Sequence, residues 1–272
     1  MAQDIGEHFR ALHVKGRPFI LANAWDAGSA RMLAALGAQA IATSSAAHAF
    51  TLGRPDGGML TRNEALAHAA DLVAAVKLPV QGDFENGFGD DPETCAETVR
   101  LAAEVGLAGI CIEDTMLPGD AAYDFDLAVE RIRAACAAAR ALPHDFVLTA
   151  RADGLMTCRY DLAEAQRRLL AFQAVGADCL YAPLIGSMTG IGQICAATTA
   201  PVNVLIAGHT TGHNVADYAA LGAARLSLGS SLARITHRAI HDAATEMFGA
   251  GRFDLLGKGM PGSQVDALLT QE

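Results

Sequence analysis

Two carboxylates stand where a predicted buried strand reaches its end. Residues 81–89 read QGDFENGFG, which places Asp83 and Glu85 at alternate positions just before two glycines. Alternate residues of a strand point to the same face, so the two side chains are expected to project together. Glu113, in CIED, ends the next predicted strand along the chain. Carboxylates that converge in a low-dielectric pocket repel one another unless a cation compensates them.

A divalent metal ion is the chemistry that this group of acids predicts. The candidate ligands are hard oxygen donors, and no His or Cys is among them. Such a set selects Mg²⁺, with Mn²⁺ as the next choice, over Zn²⁺. The simpler alternative is structural, because Asp83 and Glu85 could instead cap the following helix or pair with arginines at the rim.

Further positions near strand ends could bind a substrate. Arg151, in TARAD, has the planar fork that suits a carboxylate ligand, although a rim salt bridge is the alternative. Ser44 and Ser45 end another strand, where they could equally be small residues in a tight interior. Asp56, in GRPDGG, could join the acids or only form a turn.

The elements that must position these residues alternate short β-like segments with longer helical patterns, which is typical of βα units and a parallel sheet. The eight strand candidates span residues 18–24, 39–45, 78–85, 108–114, 145–153, 178–184, 200–208 and 223–230. Eight such units predict a (β/α)8 TIM barrel, which would gather the candidate residues at the C-terminal ends of its strands. A doubly wound sheet is the alternative, but ANAWDAGS, after the first strand, lacks the G-x-G-x-x-G turn.

The domain organisation expected from this pattern is simple. Residues 1–272 form one domain, with the barrel at about 18–248 and a C-terminal tail at 249–272. Residues 46–61 are expected to form a long loop after the second strand.

Composition and charge exclude several classes of partner. The net charge is −10 and no Lys/Arg-rich run occurs, which argues against nucleic acid and against an anionic membrane surface. No apolar stretch approaches the length of a membrane span, so a cytoplasmic location is expected. The same charge repels an anionic substrate, so a site for one requires a local cation, which Arg151 or a metal ion would supply.

Lysine placement excludes one mechanism. The chain has three lysines, Lys15, Lys77 and Lys258, and none of them ends a predicted strand. A Schiff-base aldolase therefore lacks its nucleophile. The G-x-S-x-G segment of a serine hydrolase is also absent from the sequence.

Four segments together resemble the isocitrate lyase and phosphoenolpyruvate mutase superfamily, and the resemblance runs over most of the chain. GDFENGFG is similar to its D-x-D-x-G-[FY]-G segment, CIEDT to its IED signature and TARAD to its A-R-x-[DE] strand. TSSAAHAFTLGRPDG resembles its strand-2 end and the loop that follows. The resemblance implies a phosphoenolpyruvate/pyruvate-type barrel whose last helix, residues 231–248, is exchanged between subunits of a homodimer or homotetramer.

The resemblance also implies a role for each acid. Asp83 would ligate Mg²⁺ directly, while Glu85, Glu113 and Asp56 would hold the waters of the ion. Glu85 stands where the family usually has Asp, which lengthens the reach but keeps an oxygen ligand.

The substrate-binding roles follow from the same resemblance. Backbone amides near Ser45 and Ala46, with the Ser44 hydroxyl, would bind the oxygen and carboxylate of an oxo-acid. Arg151 would pair with the anionic group of the substrate. Arg151, Ser44 and Glu113 are the resulting candidate catalytic residues, and Asp83 joins the substrate-binding set.

The loops leave the reaction open. The lyases of the family carry a K-K-C-G-H gating loop whose cysteine is the acid/base, and here ENGFGDDPET leads directly into a helix. The mutases and phosphonopyruvate hydrolases carry a Lys-Thr-Asn-Ser type segment, whereas DTMLPGDAAYD lacks its Lys, Asn and Ser. Neither subgroup is therefore selected.

The function predicted is that of a Mg²⁺-dependent lyase. It would cleave a C–C bond in a small 2-oxo or 2-hydroxy carboxylate through an enolpyruvate-like intermediate. The alternatives are C–P chemistry of the phosphonopyruvate hydrolase or mutase type, and a 2-oxo-acid binding protein without the lyase acid/base. The sequence fixes neither the substrate nor the choice between dimer and tetramer.

Overall fold

Eight parallel strands close into one barrel in the computed structural model, which describes residues 4–270. Each strand pairs with its sequence neighbours, and β8 pairs with β1, so the predicted (β/α)8 barrel is confirmed. The strands are β1 Phe19–Asn23, β2 Ala40–Ala42, β3 Val80–Asp83, β4 Gly109–Glu113, β5 Val147–Arg151, β6 Cys179–Tyr181, β7 Val202–Leu205 and β8 Arg225–Ser227.

Eleven α-helices surround or close this barrel in the described part of the chain. They are α1 Ile5–Ala11, α2 Ala27–Ala35, α3 Ser45–Thr51, α4 Arg62–Ala75, α5 Pro92–Glu104, α6 Phe125–Arg140, α7 Leu162–Ala174, α8 Met188–Ala197, α9 Val215–Ala220, α10 Ser231–Ala250 and α11 Gly262–Thr270. Short 3₁₀ helices occupy Gly208–Gly212 and Asp254–Lys258. In the predicted tail, α11 packs against α2, while residues 271–272 lie outside the described range.

The strands are shorter than predicted, although every predicted segment contains one. β3 ends at Asp83, which pairs with Cys111. Glu85 lies beyond the strand with a φ of 47°, so the prediction that it alternates with Asp83 along a strand is wrong. The chain turns away from the sheet here on its way to α5, and the left-handed backbone of Glu85 forms part of that turn.

The segment after β2 contains a helix where the sequence predicted only a loop. The expected loop 46–61 contains most of helix α3, which begins at Ser45. The side chain of Ser44 caps this helix, because its oxygen accepts a hydrogen bond from the Ala47 amide. Serine is a favoured N-cap residue, so the two serines mark a helix start as well as a strand end.

Alternation along the strands separates an apolar outer face from a polar interior. Ile110, Leu148 and Leu180 belong to the main hydrophobic core and are fully buried. Thr149, next to Leu148, donates instead to Gln81 Oε1 across the barrel at 3.2 Å. Side chains on the inner face can therefore meet from strands that are not neighbours.

Helix α10 leaves a large apolar surface uncovered. Of its 20 residues only Ala233 is buried. Ile235, Ile240 and Phe248 are 64%, 65% and 88% exposed. Between residues 4 and 270, no helix combines the length and apolar character that crossing a bilayer requires.

Helix α1 closes the N-terminal end of the barrel through a contact that only glycine permits. A Cβ atom on Gly6 would lie 1.8 Å from the carbonyl oxygen of Asp145. We expect Gly6→Ala to displace α1 and to lower the free energy of unfolding by about 1–3 kcal/mol, the usual cost of overpacking. Urea unfolding would measure this loss. Gly249→Ala is the matched control, because nothing lies within 4 Å of its Cβ position; an equal loss there would contradict the packing explanation.

Candidate active site

A cavity of about 480 Å³ opens at the C-terminal ends of the strands. All eight residues predicted for the site line it, namely Ser44, Ser45, Ala46, Asp56, Asp83, Glu85, Glu113 and Arg151. A second cavity of about 640 Å³ adjoins it and shares Glu85 and Leu117. The smaller cavity is the candidate active site, because the acids and the arginine face it together.

Asp83 is held in place by the start of helix α3. Its Oδ2 atom accepts hydrogen bonds from the amide and the hydroxyl of Ser45, each at 2.9 Å. The Ser45 amide, predicted to bind substrate, is therefore engaged by Asp83. The neighbouring Ala46 amide has no hydrogen-bond partner within the described residues.

Asp56 and Glu85 are anchored by the glycines between them. Gly57 donates its amide to Asp56 Oδ1 at 2.8 Å, and Gly58 donates to Glu85 Oε1 at 3.1 Å. Neither Asp83 nor Glu85 caps the following helix, since α5 is capped by Asp91. The structural alternative of a cap for α5 is thus excluded for both acids.

Arg151 brings a guanidinium to the cavity, with a side chain that is 12% exposed and already paired. Its Nη1 lies 3.2 Å from Glu113 Oε2, and its Nε lies 2.5 Å from Asp153 Oδ1. The register places Glu113, Arg151 and Tyr181 side by side on β4, β5 and β6. The predicted salt-bridge alternative is therefore present, but within residues 4–270 Nη2 has only the sulfur of Met156 as a partner, at 3.8 Å.

Each of the four predicted metal-binding carboxylates keeps one oxygen without a protein partner. Within residues 4–270, these atoms are Asp56 Oδ2, Asp83 Oδ1, Glu85 Oε2 and Glu113 Oε1. The other oxygen of each is held by an amide, a hydroxyl or Arg151. Carboxylates fixed in this way present free oxygen ligands to one cavity, and such ligands suit Mg²⁺ or Mn²⁺.

The electrostatics of the cavity also favour a cation. Burial, followed by the charge of Asp83, raises the pKa of Glu85 to about 7. Burial and Asp83 likewise raise the pKa of Asp56, and burial raises that of Glu113 although Arg151 opposes it. Negative charge therefore exceeds what Arg151 offsets, and a divalent ion would relieve the repulsion.

The acids do not form a complete direct ligand shell. Among residues 4–270, no three His, Cys, Asp or Glu side chains are already arranged to hold one ion between them. Binding through one direct ligand and several waters, as the resemblance implies, is compatible with this spacing. Mg²⁺ usually retains waters in protein sites.

Several lining residues were not predicted from the sequence. Tyr181 lies on the inner face of β6, and strand alternation could have indicated it. Arg234, in the first turns of α10, also lines the cavity, and no hydrogen bond or ion pair engages its side chain among the described residues. Nothing in the local sequence of α10 distinguishes Arg234 from Arg238, the other arginine of that helix.

The mouth of the cavity concentrates unusual backbone conformations. The non-glycine residues with positive φ in the described range are Glu85, Phe88, Cys158 and Leu184, and all lie in loops that follow strands. Conformations of this kind persist where the surrounding structure holds them, often at functional sites. No Lys, His or Cys is among the lining residues of the described chain.

The fold and this cavity define a TIM-barrel protein with an acidic, oxygen-rich site at the face where such barrels place their chemistry. Residues 9–248 match the family model described as phosphoenolpyruvate phosphomutase. The chain belongs to the isocitrate lyase and phosphoenolpyruvate mutase superfamily, as its four motifs predicted.

Relatives and solved structures agree with this assignment. The chain is 30% identical to an oxaloacetate decarboxylase of Pseudomonas savastanoi pv. phaseolicola (strain 1448A / Race 6) over 81% of this chain and 76% of that one. It is 31% identical to 2-methylisocitrate lyase of Escherichia coli (strain K12), over 72% and 68%. A crystal structure from Burkholderia cenocepacia J2315, provisionally classed as a lyase or mutase, has 46% identity and a TM-score of 0.93, over 98% and 95%.

Glu85 should make the metal-free protein less stable at alkaline pH. Its pKa is about 7 in the folded chain against an ordinary value of 4.5, so stability is present below pH 4.5 and lost as pH rises to 7. The loss is at most about 3 kcal/mol. With chelator present, we expect Glu85→Gln to raise the melting temperature at pH 8 but not at pH 4.5. Glu93→Gln is an exposed control, with a side chain 78% exposed; an equal shift in both variants would contradict the burial effect.

Proposed function

We propose that this protein is a Mg²⁺-dependent lyase that cleaves a C–C bond in a small 2-oxo or 2-hydroxy carboxylate. The observation that carries the proposal is the set of four anchored carboxylates that line one cavity with Arg151, each with one oxygen that has no partner among residues 4–270. A metal and an anion can both be bound there, because the acids attract the one and the guanidinium attracts the other.

Asp83 would bind the ion directly, and Glu85, Glu113 and Asp56 would bind its waters. Mn²⁺ would be accepted by the same oxygen donors. When bound, the ion supplies Lewis-acid stabilisation of the negative charge that develops on the substrate oxygen during bond cleavage. Ser45 fixes Asp83 through two hydrogen bonds, so the carboxylate needs little rearrangement to act.

Arg151 would orient the substrate. Glu113 and Asp153 hold its Nη1 and Nε atoms, so Nη2 would be the atom that binds an anionic group of the substrate. The Ala46 amide, which is free within the described chain, together with the Ser44 hydroxyl would receive the carboxylate or oxo oxygen. These donors are fixed before substrate arrives, which reduces the cost of organising the transition state.

Proton transfer must be carried out without the residue types most used for it. The lining residues of the described chain include no Lys, His or Cys. Burial raises the pKa of Glu113, although Arg151 opposes this, and burial also raises the pKa of Tyr181, which favours the protonated form of each group. Cleavage that leaves an enolpyruvate-like product needs one proton returned to carbon, and Tyr181 would supply it, because Glu113 is engaged as a carboxylate by Arg151. The oxaloacetate decarboxylase relative is consistent with such chemistry.

C–P chemistry is the second candidate function. The family model that matches is described as phosphoenolpyruvate phosphomutase, and Arg234 adds a second cation to the cavity that could face a phosphonate. A 2-oxo-acid binding protein is the remaining alternative, since the cysteine acid/base of the gating loop is missing from the sequence.

Turnover assays separate these functions. With Mg²⁺, we expect pyruvate-type product from oxaloacetate or from a 2-methylmalate-type acid, abolished by EDTA and reduced at least a hundredfold in Asp83→Asn. Asp91→Asn, which keeps a capping side chain on α5, is the matched control. Phosphate released only from phosphonopyruvate would refute the C–C lyase. Tight binding of oxo-acids without turnover would support the binding protein instead.

We also propose that the protein is a homodimer or homotetramer assembled through α10. Ile240 and Phe248 are 65% and 88% exposed, and an uncovered apolar face of this kind on a long helix usually marks an interface. The tail adds Phe253 and Leu256, which are 64% and 57% exposed. A second copy of the chain would cover these side chains by receiving the helix.

Sedimentation analysis tests the assembly. We expect an oligomer for the unaltered chain and monomers for the double variant Ile240→Asp, Phe248→Asp, because two charges in a buried interface are strongly unfavourable. Leu36→Asp alters another exposed leucine, 69% exposed at the end of α2, and should leave the mass unchanged. A monomeric unaltered chain would refute the proposal.

A further inference from the structure

Arg225 is a buried arginine in the floor of the barrel without a carboxylate partner. It is 1% exposed. Its Nε donates to Asn203 Oδ1 at 2.9 Å, and its Nη1 donates to Gln81 Oε1 at 2.6 Å and to His13 Nε2 at 3.1 Å. No ion pair involves this side chain within residues 4–270. Two of the three acceptors are amide oxygens, which carry no charge.

The third acceptor, His13, is neutral as well. Its Nδ1 lies 2.9 Å from the carbonyl oxygen of Phe9 and must donate the hydrogen there, which leaves Nε2 as an acceptor for Arg225. Burial, followed by the charge of Arg225, lowers the pKa of His13 to about 3. The positive charge of Arg225 is therefore not balanced by any group that it contacts.

Arg131, which is 0% exposed, also lacks a carboxylate partner among the described residues and donates to backbone carbonyl oxygens instead. Two other arginines of the interior are balanced by carboxylates. Arg168 pairs with Asp114 and Glu164, and Arg151 pairs with Glu113 and Asp153. An isolated buried charge is costly, so a compensating negative charge is expected nearby.

The acids of the candidate active site supply that charge. A small cavity of about 40 Å³ is lined by Arg225 together with Asp83 and Arg151. Gln81, which accepts from Arg225, precedes Asp83 by two positions on the same face of β3. Two residues of a strand span about 7 Å, so we place the guanidinium roughly that far from Asp83.

We infer that Arg225 is the fixed counter-charge of the active-site carboxylates, and that its charge changes the affinities of the site for its two ligands in opposite directions. It weakens the binding of a divalent cation and strengthens the binding of a 2-oxo-acid anion. Arg225 touches neither ligand, so it is a positioning charge and not a catalytic residue. This inference rests on the proposed function, because it assumes that the cavity binds both ligands.

Two substitutions separate charge from structure. Arg225→Gln removes the charge but keeps amide N–H donors for Asn203 and Gln81. Arg225→Lys keeps the positive charge but loses the planar guanidinium group. In Arg225→Gln we expect Mg²⁺ to bind about tenfold more tightly and pyruvate, at saturating Mg²⁺, about tenfold more weakly. A charge about 7 Å away at an effective dielectric constant of about 20 gives effects of at least this size. Arg225→Lys should stay within about twofold of the unaltered protein for both ligands.

Titration calorimetry with Mg²⁺ alone and then with pyruvate measures both constants. Asn203→Asp provides a second route, because it places a carboxylate beside Arg225 and neutralises the charge without removing the side chain; it should shift both affinities in the same directions as Arg225→Gln. If Arg225→Gln does not fold, the two affinities of Asn203→Asp test the inference in its place. Arg133→Gln, which alters an arginine whose side chain is 55% exposed on α6, is the control.

The possible results are distinct. Opposite shifts for the two ligands in Arg225→Gln or Asn203→Asp support the counter-charge. Weakening of both ligands together would show a purely structural role, and unchanged affinities would also overturn the inference. If the unaltered protein binds no Mg²⁺, the proposed function fails first and this inference falls with it.

Discussion

The constraint on which this structure depends is the repulsion among carboxylates gathered at one end of the barrel. Asp56, Asp83, Glu85 and Glu113 face a single cavity, and Arg151 offsets only part of their charge. Burial makes the charged forms costly, which is why the pKa of Glu85 rises to about 7. The protein tolerates this cost at the mouth because the surrounding barrel supplies a large apolar core.

The local structure around the acids restrains them instead of relieving the repulsion. Ser45, at the start of α3, donates to one oxygen of Asp83. The amides of Gly57 and Gly58, before α4, donate to one oxygen of Asp56 and of Glu85, respectively. The other oxygen of each has no partner in the part of the chain that the structure describes. A site organised in this way has its ligands in position before a cation arrives, so binding energy is not spent on ordering them. The same preorganisation explains why strained backbone occurs in the loops at this end of the barrel.

Much of this arrangement could be predicted from the sequence, but its details could not. The motifs indicated the four acids, Arg151 and the serines, and all of them line one cavity. Glu85 was wrongly assigned to the strand, because the end of a β-ladder depends on pairing with the next strand and not on local composition. Helix α3 was missed for a similar reason, since a seven-residue helix has a weak periodic signal.

What the sequence determined by itself is the number of βα units, the identity of the acids and the absence of a strand-end lysine, because strand alternation and residue chemistry are local properties. The tertiary structure alone decided which carboxylate oxygens are anchored and which are free. It also brought Tyr181 and Arg234 to the cavity and placed Arg225 against Gln81, His13 and Asn203. These contacts join residues distant in the chain, and they form only when the barrel closes and its inner faces meet.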